Sequence, residues 1–238
     1  MVFQRGYPSD DLSSELYGKW IDGSKIYTWK FHPMPIRHFD YTISQVRKVV
    51  SSIEKIPREI KFLDFGMGWG DFSLAAKAFG AQVTGVELSR DKQEHGRQLG
   101  INVVEAPTDI YDVIFLNQVL EHLPDPVAIL SKLKEHLADN GLIYAAVPNG
   151  TPVYNCAAGF GEAQFIKNQK IVAPLEHLNV FNFDTLRQAG KSAGLSAEIP
   201  PVDALSRATL ASIKGRLFKK LGLAKATAAE VFYRHDKS

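Results

Sequence analysis

Cysteine is nearly absent from this chain. Cys156 stands alone among 238 residues, which excludes an internal disulfide and any zinc site built from cysteines, and suits a reducing compartment. No run of about 18 apolar residues occurs, the length that a membrane-spanning helix needs. The opening residues Met1-Val2-Phe3-Gln4-Arg5-Gly6 lack the apolar core of a signal peptide. Charge of one sign is also missing: a formal net charge of +2, with Lys and Arg spread along the chain, gives no footprint for nucleic acid. There is no Pro/Gly/Ser-rich seam, low-complexity tract or internal repeat. These absences point to a cytoplasmic protein of one medium domain without stable membrane insertion. Its 45% hydrophobic residues suffice for one full core.

What is present centres on Phe62-Leu63-Asp64-Phe65-Gly66-Met67-Gly68-Trp69-Gly70. Residues Ile60 to Phe65 are mostly apolar, as in a strand covered on both faces, and a helical pattern begins at Asp71. Glycines at alternate positions let a backbone pass close to a ligand, and the following helix offers unpaired N–H groups and the positive end of its dipole. The dinucleotide fingerprint would place a third glycine at position 71; Asp71 stands there, and the third glycine is Gly70. The next apolar run, Ala81 to Val86, ends in Glu87, where a carboxylate accepts hydrogen bonds from ribose hydroxyls. An ordinary charge at a strand end is the other reading of Glu87.

The chain around this turn reads as an alternation of strands and helices. Asp40 to Ile56 forms a helix with Ile43, Val46, Val49, Val50 and Ile53 as its apolar stripe, stopped by Pro57. Phe72, Ala75, Ala76 and Phe79 give the next helix its sheet-facing side. Ser89 caps a further helix that runs to about Leu99 and ends at Gly100. Strands follow at Ile101–Glu105 and at Asp112–Leu116, after a short connection with Pro107 and Asp109. Asp125 caps a helix with Pro126 at its first position and Leu130, Leu133 and Leu137 as its buried stripe; Asn140-Gly141 breaks it before a fifth strand, Leu142–Val147. A helix at Phe183–Ser192 precedes the last two strands, Leu195–Ile199 and Ala228–Tyr233. The order defines an α/β, Rossmann-like doubly wound sheet of about seven strands, mostly parallel with an antiparallel edge strand and helices on both faces.

Within one domain, residues 1–56 supply an N-terminal cover and helix, 57–149 a cofactor-binding core, 150–180 a substrate loop, and 181–238 a C-terminal helix, edge strands and a basic helix. The cover carries Tyr7, Tyr17, Trp20, Tyr27, Trp29, Phe31 and His32, which either pack on the core or close the mouth of a site. The loop carries Tyr154, Asn155, Cys156, Phe160, Phe165 and Lys167. Between the last strands, Leu210, Ile213, Leu217 and Leu221 make a helix with Arg207, Lys214, Arg216, Lys219 and Lys220 on its other faces. Such a helix meets a membrane surface or an anionic substrate, or is simply a surface helix.

The G-x-G-x-G turn with Asp64 ahead of it resembles the first motif of class I S-adenosylmethionine-dependent methyltransferases. The resemblance extends through Asn117-Gln118-Val119-Leu120-Glu121-His122-Leu123-Pro124-Asp125-Pro126 to Glu176-His177-Leu178-Asn179-Val180-Phe181. That run is similar to the type 23-like subgroup, whose fourth motif contains Glu-His-Leu, and it covers roughly residues 60–200. It implies S-adenosylmethionine as cofactor, held by Asp64, Gly66, Met67, Gly68, Gly70, Glu87, Leu88 and Asn117. It implies methyl transfer to a small-molecule acceptor, most readily oxygen methylation in secondary or cell-surface saccharide or lipid metabolism. His122 is the candidate general base and His177 the second candidate, since imidazole titrates near neutral pH; each is otherwise a backbone or substrate contact. A homodimer is compatible with this reading. The alternatives are a non-catalytic adenosyl-nucleoside-binding module, or an NAD(P)-dependent oxidoreductase or epimerase, disfavoured by Asp71 and by the lack of a Tyr-x-x-x-Lys pair. Gln118, Glu121 and His122, with a distant His177, also resemble the divalent-ion site of small-RNA 3′-end methyltransferases and a related site in ubiquinone-pathway O-methyltransferases. Gln118 stands here for a carboxylate, removing a charge on which hard ions depend. The expectation is therefore metal-independent activity, with Glu121 structural.

Overall fold

Phe62, Leu63, Val113, Ile114, Phe115 and Leu116 are all fully buried, so the strands that carry them must be covered on both faces. A computed structural model describes residues 2–3, 8–16, 36–154, 171–173, 176–201 and 228–236. The elements in chain order are β1 (Val2–Phe3), α1 (Asp10–Glu15), α2 (Ile36–Val50), β2 (Lys61–Phe65), α3 (Asp71–Ala78), β3 (Gln82–Val86), α4 (Arg90–Gln98) and β4 (Asn102–Val104). They continue with β5 (Tyr111–Asn117), α5 (Pro126–Lys134), β6 (Leu137–Pro148), α6 (Thr151–Tyr154), β7 (Asn179–Val180), α7 (Phe183–Ser192), β8 (Leu195–Glu198) and β9 (Ala228–His235).

Seven strands form one sheet in the order β4-β3-β2-β5-β6-β9-β8. β2 pairs parallel with β3 and β5, and β5 with β6, while β9 runs antiparallel to both β6 and β8. The expected antiparallel pair therefore closes this side of the sheet, with β9 inside and β8 at the rim. One face is packed by Val46, Val49 and Val50 of α2 and by Ala75 and Ala76 of α3 against Phe62, Phe115, Tyr144 and Phe232. Phe115 stacks on Tyr144 at 4.8 Å between ring centroids and tilts against Phe62 at 5.6 Å, arrangements worth about 0.5–1.5 kcal/mol beyond the area buried. The other face takes Leu130 and Leu133 of α5 and Leu186 and Ala189 of α7. The strand order reverses between β2 and β5, which opens a crevice beyond the carboxyl ends of those strands.

Three local expectations are corrected. α2 begins at Ile36, four residues ahead of Asp40, and ends at Val50; Ile53 is still buried, in the turn that follows. Ser89 sits at the N-cap of α4 but its side chain makes no capping bond; the turn before it is instead held by the Glu87 carboxylate, which accepts the Leu88 and Ser89 amides. α5 stops at Lys134, and Leu137 opens β6 rather than closing the helix. Tyr111 pairs with Leu137 and Val113 with Leu142, so Asn140-Gly141 lies in a bulge inside the strand. Asp125 does cap α5, accepting from the Ala128 amide at 2.9 Å. The aromatic residues expected to form the N-terminal cover (Tyr7 to His32), Asn155 to Lys167 of the loop and the basic helix at 205–221 lie outside the described residues.

Candidate active site

The turn from β2 to α3 has the left-handed backbone its glycines allow. φ is +77° at Gly66, +57° at Gly68 and +86° at Gly70, a region that other residues enter at a cost of about 1–2 kcal/mol. Added side chains at the outer two would collide, Gly66 with Val119 at 2.7 Å and Gly70 with Ile101 at 2.8 Å, whereas among the described residues nothing lies within 4 Å of the same point at Gly68. The turn is thus clamped at both ends and open in the middle. The Gly66 and Met67 amides donate to the Val86 carbonyl at 2.8 and 3.0 Å, pinning the turn to β3. The Met67 side chain is 4% exposed and fills the hole left by Gly85 and Gly96, so only its backbone can meet a ligand. Gly70 caps α3 without a side chain, which leaves first-turn N–H groups for an incoming acceptor.

Two carboxylates hold this turn from behind. Asp64 is 3% exposed and accepts the Ser73 hydroxyl at 2.7 Å. Burial pushes its pKa up to about 7; the Ser73 bond opposes that rise, and Glu87 and Asp71 add to it. Glu87 accepts the Gly68 amide on Oε2, and the Leu88 and Ser89 amides on Oε1, each at 2.9 Å. It therefore ties the open middle of the turn to the start of α4. Leu88 beside it is 91% exposed.

The second half of the site grows from the end of β5. Asn117 is half-buried and its Oδ1 accepts the Tyr41 hydroxyl at 3.2 Å. Gln118, with φ at +57°, is exposed, and its backbone N–H donates to the Ala146 carbonyl at 2.8 Å. The resulting sharp bend sends Leu120–His122 into a 3₁₀ turn. His122 Nδ1 lies 2.8 Å from the Glu176 carbonyl and His177 Nδ1 2.8 Å from the Ile171 carbonyl. A carbonyl can only accept, so each ring carries a proton on Nδ1, and in the neutral tautomer this leaves the lone pair on Nε2. The two rings meet edge-on at 4.9 Å. Burial pushes the His122 pKa down to about 4, partly offset by its bond to Glu176. Glu121 is 1% exposed; no side-chain or main-chain donor within hydrogen-bond distance of its carboxylate oxygens occurs among the described residues, His122 Nε2 standing 4.0 Å from Oε1. Burial pushes its pKa up to about 8, opposed by its own backbone amide. Ligand atoms of Glu121, His122 and His177 all lie within 4.8 Å of one another.

The sequence-derived residues thus fall into two groups, both at the carboxyl ends of β2, β3 and β5 or in the segments that follow. Asp64, Gly66, Gly68, Gly70 and Glu87 form the turn side, His122 and His177 pair on the other, and Val119 against Gly66 joins them. The sequence reading missed Tyr41, Gln45, Lys48, Tyr144 and Glu230. Tyr144 donates to Gln45 Oε1 at 2.8 Å, and Lys48 bonds Gln45 Oε1 at 2.8 Å and Glu230 at 2.7 Å. The available signal was spacing: Tyr41, Gln45 and Lys48 recur at i, i+4 and i+7, a polar stripe beside the apolar one.

Such a sheet, with a glycine turn and an acid after the next strand, defines the class I methyltransferase architecture. The methyltransferase domain family of type 23 matches residues 37–198, and the chain belongs to that family. Curated relatives include a ubiquinone biosynthesis O-methyltransferase of Actinobacillus pleuropneumoniae serotype 7, 27% identical over 153 residues, which span 53% of this chain and 65% of the relative. The corresponding protein of Idiomarina loihiensis is 34% identical over 103 residues, 37% of this chain and 42% of the relative. Each is matched over less than two-thirds of its own length. Among solved structures, the plantazolicin methyltransferase BpumL in complex with SAH superposes with a TM-score of 0.60 at 16% identity, covering 94% of both chains. A SAM-dependent methyltransferase from Archaeoglobus fulgidus gives 0.59 at 16% identity, over 89% of this chain and 99% of that one. At such identities the likeness is one of fold.

Proposed function

We propose that the protein is an S-adenosylmethionine-dependent methyltransferase acting on a small-molecule acceptor, in the subgroup whose fourth motif reads Glu121-His122-Leu123. One observation carries this reading: three left-handed glycines at a strand-to-helix turn, with the middle amide bound to the Glu87 carboxylate. The residues fit the donor, because among the described residues nothing fills the space at Gly68 and Gly70 places no side chain over the start of α3. Gly66, Gly68 and Gly70 would admit its methionine portion and ribose against the backbone, Glu87 its ribose hydroxyls, and Leu88 and Asn117 would flank it. Bound S-adenosylmethionine supplies an activated methyl group on a sulfonium that leaves readily.

The chain's own work is to place the acceptor and remove its proton. His122 Nε2 is the acceptor for that proton, while Nδ1–H on the Glu176 carbonyl fixes the ring and stabilises the imidazolium. In this reading the methylated atom is an oxygen whose proton passes to that base, and saccharide, lipid-linked, polyketide and quinone-like acceptors are all compatible with it. Among the described residues, no helix is long and apolar enough to cross a membrane. We read residues 1–238 as one cytoplasmic domain without a nucleic-acid partner, able to form a homodimer. Calorimetry with S-adenosylmethionine and with NAD(P) tests the donor: only the first should bind, and binding of NAD(P) alone would move the protein to the oxidoreductases. A screen of acceptors with labelled donor then separates an enzyme from a binding module.

A second reading is supported by Glu121, whose buried carboxylate has no hydrogen-bond partner among the described residues and lies beside two imidazoles whose Nδ1–H groups are bonded elsewhere. A carboxylate with two such imidazoles suits a first-row divalent ion. Glu121, His122 and His177 would hold it, and it would supply positive charge that favours an ionised acceptor. This runs against the metal independence drawn from Gln118. Zn²⁺ or Mn²⁺ binding in calorimetry that is lost in His177→Ala favours the ion; no binding, with activity indifferent to EDTA, returns Glu121 to a structural role.

A further inference from the structure

α2 carries a second stripe that its apolar face does not explain. His38 Nε2 lies 3.2 Å from Asp71 Oδ2 at the start of α3, Tyr41 reaches Asn117, Gln45 reaches Tyr144, and Lys48 reaches Glu230 on β9. These residues share one face of the helix and cross the sheet from the glycine turn, past the end of β5 and Tyr144 within β6, to β9. The pairs at Gln45 and Lys48 are well formed, at 2.7–2.8 Å, and Lys48 is only 10% exposed. They fix the helix to the sheet, and with it the Tyr41 ring, which also meets Phe72 edge-on at 6.1 Å.

The Tyr41 hydroxyl has a consequence for Asn117. A phenol donates one hydrogen, and an amide oxygen is the acceptor it finds here. With Oδ1 taken by α2, the Nδ2 group, for which no hydrogen bond occurs among the described residues, lies on the other side of the amide and is left to a ligand. We propose that Tyr41 is a positioning residue that sets the Asn117 amide with its N–H donors facing the ligand, so that this edge of the site receives the carboxylate of the donor's amino-acid portion rather than its ammonium. The assignment rests on the donor reading above and gives it a polarity. Burial holds the Tyr41 pKa well above its ordinary value, so the phenol keeps its proton under all working conditions.

The test is a double-mutant cycle read by calorimetry with S-adenosylhomocysteine, which carries the same amino-acid portion. Tyr41→Phe keeps the ring and its contact with Phe72 and removes only the hydroxyl. Tyr41→Phe and Asn117→Ala should each weaken binding by about tenfold, the scale of one hydrogen bond to a charged group. The double variant should be no weaker than Asn117→Ala alone, because both remove the same interaction. Asn117→Asp is the decisive variant: one oxygen still accepts from Tyr41, and the other puts an acceptor and a charge where the N–H donors stood. Binding should then fall below that of Asn117→Ala. Unchanged binding in Tyr41→Phe, or losses that multiply in the double variant, would remove Tyr41 as a positioning residue. Binding in Asn117→Asp as tight as wild type or tighter would mean that Asn117 faces the ammonium, overturning the assigned polarity. If wild type binds no S-adenosylhomocysteine or S-adenosylmethionine, the donor reading itself falls, an outcome distinct from both.

Discussion

Replacing Asp64 by Asn should change how stability responds to pH. In the folded protein its pKa is raised from 3.8 to about 7, so near neutrality the folded state binds a proton that the unfolded chain has lost. Stability from this residue is therefore fully present below about pH 4 and is lost as pH rises toward about 7. Three pH units at about 1.36 kcal/mol each give roughly 4 kcal/mol. Asn keeps an oxygen for the Ser73 hydroxyl and never ionises. Urea unfolding of both proteins between about pH 4 and about pH 8 isolates the effect, because every other titrating group appears in both curves. The Asn variant should gain about 4 kcal/mol on wild type across that range. Curves that run parallel would show that Asp64 titrates as an ordinary carboxylate and that its burial is not costly.

Glu87→Ala should weaken S-adenosylmethionine binding by about 1.5–3 kcal/mol, and because the Gly68, Leu88 and Ser89 amides lose their acceptor, faster amide exchange at all three should accompany it. Unchanged affinity in calorimetry removes Glu87 from the site. Gln118→Val should lower stability by about 1–3 kcal/mol, since a β-branched side chain tolerates the left-handed backbone badly, while Gln118→Gly stays within about 1 kcal/mol of wild type. Equal losses in urea melts would sink the strain argument. An added methyl at Gly190 would overlap the Tyr233 ring, whose hydroxyl is fixed to the Leu186 carbonyl at 2.6 Å. Gly190→Ala should thus cost about 1–3 kcal/mol, and a thermal melt matching wild type would show that α7 can shift.

The legible parts of the sequence were those where one periodicity acts alone. β2 and β5 announced themselves because burial on both faces demands continuous apolar runs. The glycine turn was legible because its spacing matches the left-handed positions that the backbone adopts. Ser89 misled because a residue type suited to a cap can hold the N-cap position without making the capping bond. Leu137 fitted a helical stripe and a strand start equally well; only its pairing with Tyr111 decides. β1 was invisible: Val2 and Phe3 pair with Val180 and Asn179, and two residues carry no period. In the site, His122 and His177 could be nominated from chemistry, but their meeting at 4.9 Å depends on a loop closure that no local pattern encodes. The stripe from His38 to Lys48 was overlooked because polar residues on a helix ordinarily face water.

β9 lies between β6 and β8 although it follows both in sequence. During synthesis, β8 therefore leaves the ribosome before the strand it pairs with exists. Until residues 228–235 emerge, β6 presents an open edge whose residues Ile143 to Val147 are fully buried in the finished protein, a ready template for mispairing. The arrival of β9 closes the β6 edge and recruits β8 in the same event, joining Ile143 to Tyr233 and Ala197 to Tyr233. Contacts of that sequence separation form slowly. The interval between translation of Val147 and of His235 is thus when the nascent chain has most need of a chaperone.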